Sequence, residues 1–130
     1  MEGSPKNFRH KIKVRYAETD QMGIVHHSNY IIYFEEARTA FMESIGRPYH
    51  EMERDGILIV VIESYVKYIK PARFGDELEI SVRFERMGVK FRFYYEVFRR
   101  GEKIAEGYTT HVFTDRNFRV LRPFEWGFPS

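Results

Sequence analysis

The chain has 130 residues, 43% of them hydrophobic and 17% aromatic, which excludes a disordered segment and allows one packed domain, but not a core plus a separate cofactor domain. Its formal charge of +2, with Lys and Arg interleaved among Asp and Glu, excludes a general nucleic-acid binder. The absence of cysteine excludes disulfides, thiolate zinc sites and cysteine nucleophiles.

The amino end, Met1 to Asn7, carries charge with no apolar core behind it, and no later stretch is apolar for long enough to span a bilayer. A cytoplasmic protein without stable membrane insertion is therefore expected. Phe8 to Tyr16 reads as a strand, with Ile12, Val14 and Tyr16 on one face and Lys11, Lys13 and Arg15 on the other. A turn at Gly23 ends that run. From there Tyr30, Ile31, Phe34, Ala37, Phe41, Met42 and Ile45 recur at intervals of three and four, which predicts one helix from about Ser28 to Ile45. Ser28 or Asn29 can cap its start, Gly46 can close it and Pro48 prevents its continuation. The run Tyr30 to Phe34 is apolar around most of the circumference, so these turns are expected to be wrapped.

Tyr49 to Gly56 reads as a polar connector. Ile57 to Ile69 begins apolar on both faces, as a central strand emerging toward solvent does. Leu78, Ile80, Val82 and Phe84 alternate with charged and polar residues, Gly88 turns the chain, and Phe91, Phe93, Tyr95 and Val97 line one face of the next strand. Arg100-Gly101-Glu102 makes another turn before a last strand from Lys103 to Thr114, and Pro123 and Pro129 punctuate a tail. The predicted fold class is α+β: one long helix against a five-stranded antiparallel sheet in a single domain spanning residues 1–130. There is no internal repeat and no phosphate-binding Gly loop.

The segment Tyr16-Ala17-Glu18-Thr19-Asp20-Gln21-Met22-Gly23-Ile24-Val25-His26-His27-Ser28-Asn29-Tyr30 delivers an acid through a Gly turn to the start of that helix. Amides at a helix start lack intrahelical partners and sit at the positive end of the helix dipole, so they can polarise a carbonyl that a nearby carboxylate or its water attacks. Asp20, ionised at neutral pH, can be nucleophile or general base; an Asp in this position can also simply stabilise a turn. His26 and His27 have no third ligand at a recognisable spacing, so neither a metal nor another cofactor is expected.

This segment, continued through Tyr33, Glu35, Ala37 and Arg38 and then Tyr68-Ile69-Lys70-Pro71-Ala72-Arg73-Phe74-Gly75-Asp76, resembles the 4-hydroxybenzoyl-CoA thioesterase family. It is most similar to the acyl-CoA thioesterases of the Tol–Pal operon type. The resemblance implies the hot-dog fold, in which the sheet wraps the helix and pairs with a second subunit, and dimers commonly join into a homotetramer. It implies hydrolysis of an acyl-CoA to a carboxylic acid and CoA, with Asp20 as the reacting carboxylate. The backbone N–H of His27 is expected to hold the thioester oxygen, with its imidazole as an assistant. Gly23, Val25, His26, Tyr30, Glu35 and Ser64 are implied to surround the substrate, Glu35 as a buried hydrogen-bonding support and Ser64 reaching across from the other subunit. Arg73, Lys90 and Arg92, with Arg119 and Arg122, are candidates for the CoA phosphates. Two other classes share the fold, an acyl-thioester dehydratase or hydratase and a non-catalytic acyl-CoA binder; the acid-turn-helix entry favours hydrolysis.

Overall fold

The computed structural model describes residues 8–122. Strand β1 is Arg9–Lys13, helix α1 is Ser28–Ser44, and a short helix α2 spans Tyr49–Arg54. Strands β2 (Leu58–Tyr68), β3 (Glu77–Met87), β4 (Lys90–Arg99), β5 (Glu102–Thr114) and β6 (Val120–Leu121) complete one antiparallel sheet. Its order is β1-β3-β4-β5-β2, with β6 beside β5. The expected arrangement of one long helix against an antiparallel sheet is present. The sheet has a sixth strand of two residues, paired to Phe113 and Thr114, that is too short to leave a periodic signal. The segment at Pro123 and Pro129 lies outside the described residues.

The alternation read in β3 and β4 is the core face: Leu78, Ile80, Val82 and Phe84 lie beside Phe91, Phe93, Tyr95 and Val97, all buried. Helix α1 covers this face with Tyr30, Tyr33, Phe34, Ala37, Phe41 and Met42. Phe34 stacks flat on Tyr95 at 4.2 Å, and Phe41 meets Phe93 edge-on at 5.8 Å. The helix can come this close because β5 has Gly107 beneath it. A Cβ there would lie 2.1 Å from the Tyr65 carbonyl oxygen and 2.9 Å from the Phe34 ring, so any side chain would force the helix and strands apart. The β4–β5 hairpin turns on Arg100 and Gly101, both with positive φ, the mirror-image turn whose twist matches a two-residue hairpin.

Four expectations need correction. Strand β1 stops at Lys13, and Tyr16–Glu18 forms a 3₁₀ turn, so Tyr16 projects into solvent instead of continuing the buried row of Ile12 and Val14. The connector from Tyr49 contains α2, six residues long and too short to show a helical repeat. Within one chain β2 is an edge strand, not a central one, and Val61, Ile62, Tyr65 and Tyr68 are exposed along it, as is Ile69 just beyond its end. The first turns of α1 are likewise not fully wrapped: Ile31 is 38% and Ile32 53% exposed, while Tyr33 takes the buried place expected of Ile31.

Candidate active site

The loop from residue 19 to residue 27 is folded by its own backbone. Thr19 and Val25 pair as an isolated antiparallel bridge, and Ile24 pairs in the same way with Arg73, in the connection between β2 and β3. Inside that loop, Asp20 N–H donates to the Ile24 carbonyl at 2.8 Å and Gly23 N–H to the Asp20 carbonyl at 3.0 Å. Gly23 has open space around it but a φ of 81°, so glycine is required here by backbone conformation and not by crowding. The Asp20 carboxylate takes part in the same turn: its Oδ1 accepts the N–H of Met22 at 2.8 Å and of Ile24 at 3.4 Å. Among the described residues, Oδ2 has no hydrogen-bond partner. The turn-stabilising and chemical roles of an Asp at this position are therefore compatible, one oxygen for each.

The start of α1 is capped differently from expectation. Neither the Ser28 hydroxyl nor the Asn29 amide accepts from a first-turn N–H. The His26 imidazole does this instead, with Nδ1 3.2 Å from Ser28 N and 2.8 Å from Ser28 Oγ, while Asn29 Nδ2 donates back to the carbonyls of Glu18 and His26. His26 N–H donates to the Glu18 carbonyl at 2.9 Å, Asn29 N–H to that of His26, and Tyr30 N–H to that of His27. The N–H of His27, the residue flanking the first helical position, has no partner among the described residues. It is a free donor at the positive end of the helix.

These groups share one cleft of about 350 Å³, lined by Asp20, Ile24, Val25, His26, His27, Tyr30, Tyr68, Ile69, Lys70 and Pro71. The structure thus gathers five of the expected site residues, Asp20, Val25, His26, His27 and Tyr30, with Gly23 shaping the turn beside them. Tyr30 is buried, and burial first of all raises its hydroxyl pKa; its ring meets Tyr68 edge-on at 5.2 Å. The far wall, Tyr68 to Pro71, comes from the end of β2 and the chain after it. Tyr68 Oη donates to the His27 carbonyl at 3.4 Å, and Lys70 Nζ pairs with Glu102.

Several expected participants stand apart. Glu35 is exposed on α1 and is not a buried support. Ser64 lies on the exposed edge strand, outside the cleft of its own chain. Of the basic residues, Arg73 neighbours the loop through its pairing with Ile24, whereas Lys90 and Arg92 begin β4, about 30 Å and about 24 Å along the strand from the end nearest the cleft. Arg92 is also engaged, its guanidinium 3.1 Å from Glu63 Oε1 and 3.9 Å above the Tyr108 ring. Arg119 and Arg122 are exposed beyond β5.

One residue beside the site drew no separate reading from the sequence. Glu18 is buried at the end of the 3₁₀ turn, its carboxylate accepting the Tyr33 hydroxyl at 2.7 Å, Arg15 N–H at 2.9 Å and Arg15 Nε at 3.0 Å. Burial acts to raise its pKa, yet the bonds from Arg15 N–H, Tyr33 and the Arg15 guanidinium prevail and hold it below the ordinary carboxylate value. The Tyr33 hydroxyl is pushed up correspondingly, first by burial and then by its bond to that carboxylate. The available sequence signal was a carboxylate two residues before Asp20, in a segment otherwise turning toward solvent.

Comparison with known proteins places these features in context. A family model described as "Thioesterase-like superfamily" matches residues 14–126. A hypothetical protein from Thermus thermophilus is 43% identical, with a TM-score of 0.83 covering 88% of each chain. A DHNA-CoA thioesterase from Staphylococcus aureus is 30% identical, with a TM-score of 0.86 over 91% of this chain and 81% of that one. A chloroplastic acyl-acyl carrier protein thioesterase of Arabidopsis thaliana is 32% identical over 116 residues, 86% of this chain and 61% of that protein.

Proposed function

The chain belongs to the thioesterase-like superfamily and has its hot-dog fold, and from that premise we propose that it hydrolyses acyl-CoA thioesters to a carboxylic acid and CoA. The observation that carries this reading is the pairing of two unengaged groups on one cleft, Asp20 Oδ2 and the His27 N–H. With the thioester oxygen on the His27 amide, the carbonyl carbon becomes more electrophilic and the charge that develops on oxygen is met by a fixed dipole. Asp20 then acts in one of two ways. Its Oδ2 adds to the carbonyl, expels the CoA thiolate and leaves a mixed anhydride that water cleaves, or it takes a proton from a water that adds directly. His26 holds the helix start, Val25 and Tyr30 shape the wall, and the His27 imidazole assists at the rim.

Within the superfamily, the segment from Tyr16 to Arg38 supports placement beside the Tol–Pal operon type of acyl-CoA thioesterase. The assembly we propose is a homodimer joined through the free edge of β2, pairing further into a tetramer, in the cytoplasm. Among the described residues, no helix is long and apolar enough to cross a membrane. Dimerisation supplies Ser64 of the partner subunit to each site, and gives Glu35 and the exposed Ile31 and Ile32 a neighbour. Arg73 serves the CoA phosphates from the same chain; Lys90 and Arg92, given their distance, serve only from the other one.

Thiol release from short, long and aromatic acyl-CoAs tests the reaction and its acyl preference together. Asp20→Asn keeps the size of the side chain but loses basicity and nucleophilicity, so turnover should fall about 100-fold or more while acyl-CoA still binds. Turnover within a few-fold of the parent rejects Asp20 as the reacting group. Chelator treatment should leave the parent rate unchanged; loss restored by a divalent ion rejects the metal-free route.

A further inference from the structure

We propose that Glu18 is the positioning residue of this site: its buried, charged carboxylate fixes the frame in which Asp20 and the His27 amide face one cleft. The inference rests on the hydrolase reading above for its kinetic consequence, but its geometry is independent of it. Three elements meet on this residue. The exit of β1 is held through Arg15 N–H and Nε, helix α1 through the Tyr33 hydroxyl, and the return of the loop through the Glu18 carbonyl, which accepts His26 N–H at 2.9 Å and Asn29 Nδ2 at 3.0 Å.

The side chain and the carbonyl thus act from opposite ends of one residue. The side chain ties Glu18 to the strand and to the second turn of α1, and the carbonyl ties the residue before His27 to that fixed point. Asp20 is two residues on in one direction and is bridged back through Thr19 and Val25. A shift at Glu18 therefore moves the acid and the helix-start donor relative to each other, with no contact between Glu18 and substrate required. A misplacement on the order of 1 Å between reacting groups costs up to about 100-fold in rate.

The cluster also requires charge and not merely size. Two N–H donors from Arg15 and one O–H donor converge on two oxygens, an arrangement that an ionised carboxylate satisfies completely. In Glu18→Gln one oxygen becomes an NH₂ group facing donors, so the frame loosens while volume is kept. Tyr33→Phe removes a single donor and leaves the Arg15 bonds in place.

Both variants are compared with the parent in acyl-CoA hydrolysis and in amide hydrogen exchange. The expected result for Glu18→Gln is a 10- to 100-fold fall in kcat with KM within about twofold, and a smaller fall of the same kind for Tyr33→Phe. Exchange should quicken at Val25 and His26 while Phe93 and Ile104 in the sheet stay at the parent rate. A kcat within twofold of the parent, or exchange rising equally in loop and sheet, overturns the proposal, because a residue serving only global stability moves both. If the parent releases no thiol from any acyl-CoA, the hydrolase reading fails, and exchange at the loop against the sheet still decides whether Glu18 sets the frame.

Discussion

A backbone donor is usually beyond the reach of mutagenesis, but His27 is an exception. Its φ is −56°, close to the value at which a proline ring is fixed. His27→Pro therefore deletes the N–H at an already compatible φ, whereas His27→Ala keeps the N–H and deletes only the imidazole. Turnover should fall about 100- to 1,000-fold in the proline variant and by less than about tenfold in the alanine variant. Steady-state kinetics with circular dichroism as a folding control measures both. Equal losses, with the fold intact, would promote the imidazole to a direct acid or base. What made this site legible in the sequence was local: an Asp, a Gly turn and two His residues close enough along the chain to be read as one loop. What was not legible was contributed across the fold. Tyr68 to Pro71 reach the cleft only because β2 runs alongside β5, and Glu18 acquires its partners only when Tyr33 is turned inward.

At the scale of the element, strands β3 and β4 were readable because each has one buried and one solvated face, so the period-two pattern and the fold coincide. The same logic misled at the end of β1, where alternation continued through Tyr16 although the backbone had already turned, and in β2, where apolar residues on both faces signify an exposed edge as readily as a central position. Strand β5 departs from the pattern in another way, with polar residues on its buried side. His111 is fully buried, stacked on Phe91 at 5.4 Å, with Nε2 2.7 Å from Thr109 Oγ1 and Nδ1 unpartnered among the described residues. Burial, and then the charge of Arg38, lower its pKa from 6.5 to about 3. The folded state thus favours the neutral ring, and the unfolded chain takes up the proton first. Its stabilising contribution is full above pH 6.5 and is lost as pH falls toward 3. By pH 4.5 the loss is about 3 kcal/mol. Urea unfolding at pH 7 and pH 4.5 should show the parent losing about that much more than His111→Phe, which keeps the stacking surface but cannot titrate. Equal losses would show that the ring finds a proton-accepting partner in the fold.

For the whole molecule, the free side of β2 is the unresolved edge of the design. An open strand with Val61, Ile62, Tyr65 and Tyr68 exposed along it is a template for another chain, and the register shift between Val61 and Glu63 bends it without blocking it. Light-scattering mass should be that of at least two subunits. Ile62→Lys, which sets a charge on that edge, should reduce the mass to one subunit with the helix content retained. A parent that is monomeric and fully active would reject the proposed pairing. Mixing an Asp20→Asn subunit with one altered at Ser64 tests sharing of the site, since recovered activity requires each chain to supply what the other lacks.

One wall of the cleft, Tyr68 to Pro71, continues directly from the strand whose outer side is unpaired in a lone chain. In the proposed dimer the width of the cleft is tied to the partner, which makes activity depend on protein concentration. Specific activity should decline as the protein is diluted below the dissociation constant of the pair, and a dilute stock returned to high concentration should show a lag before reaching its steady rate. Substrate that binds only the paired form would shift this balance by about 2.7 kcal/mol at a hundredfold excess over its own dissociation constant. Assays started with enzyme and assays started with substrate should therefore disagree most at the lowest protein concentrations.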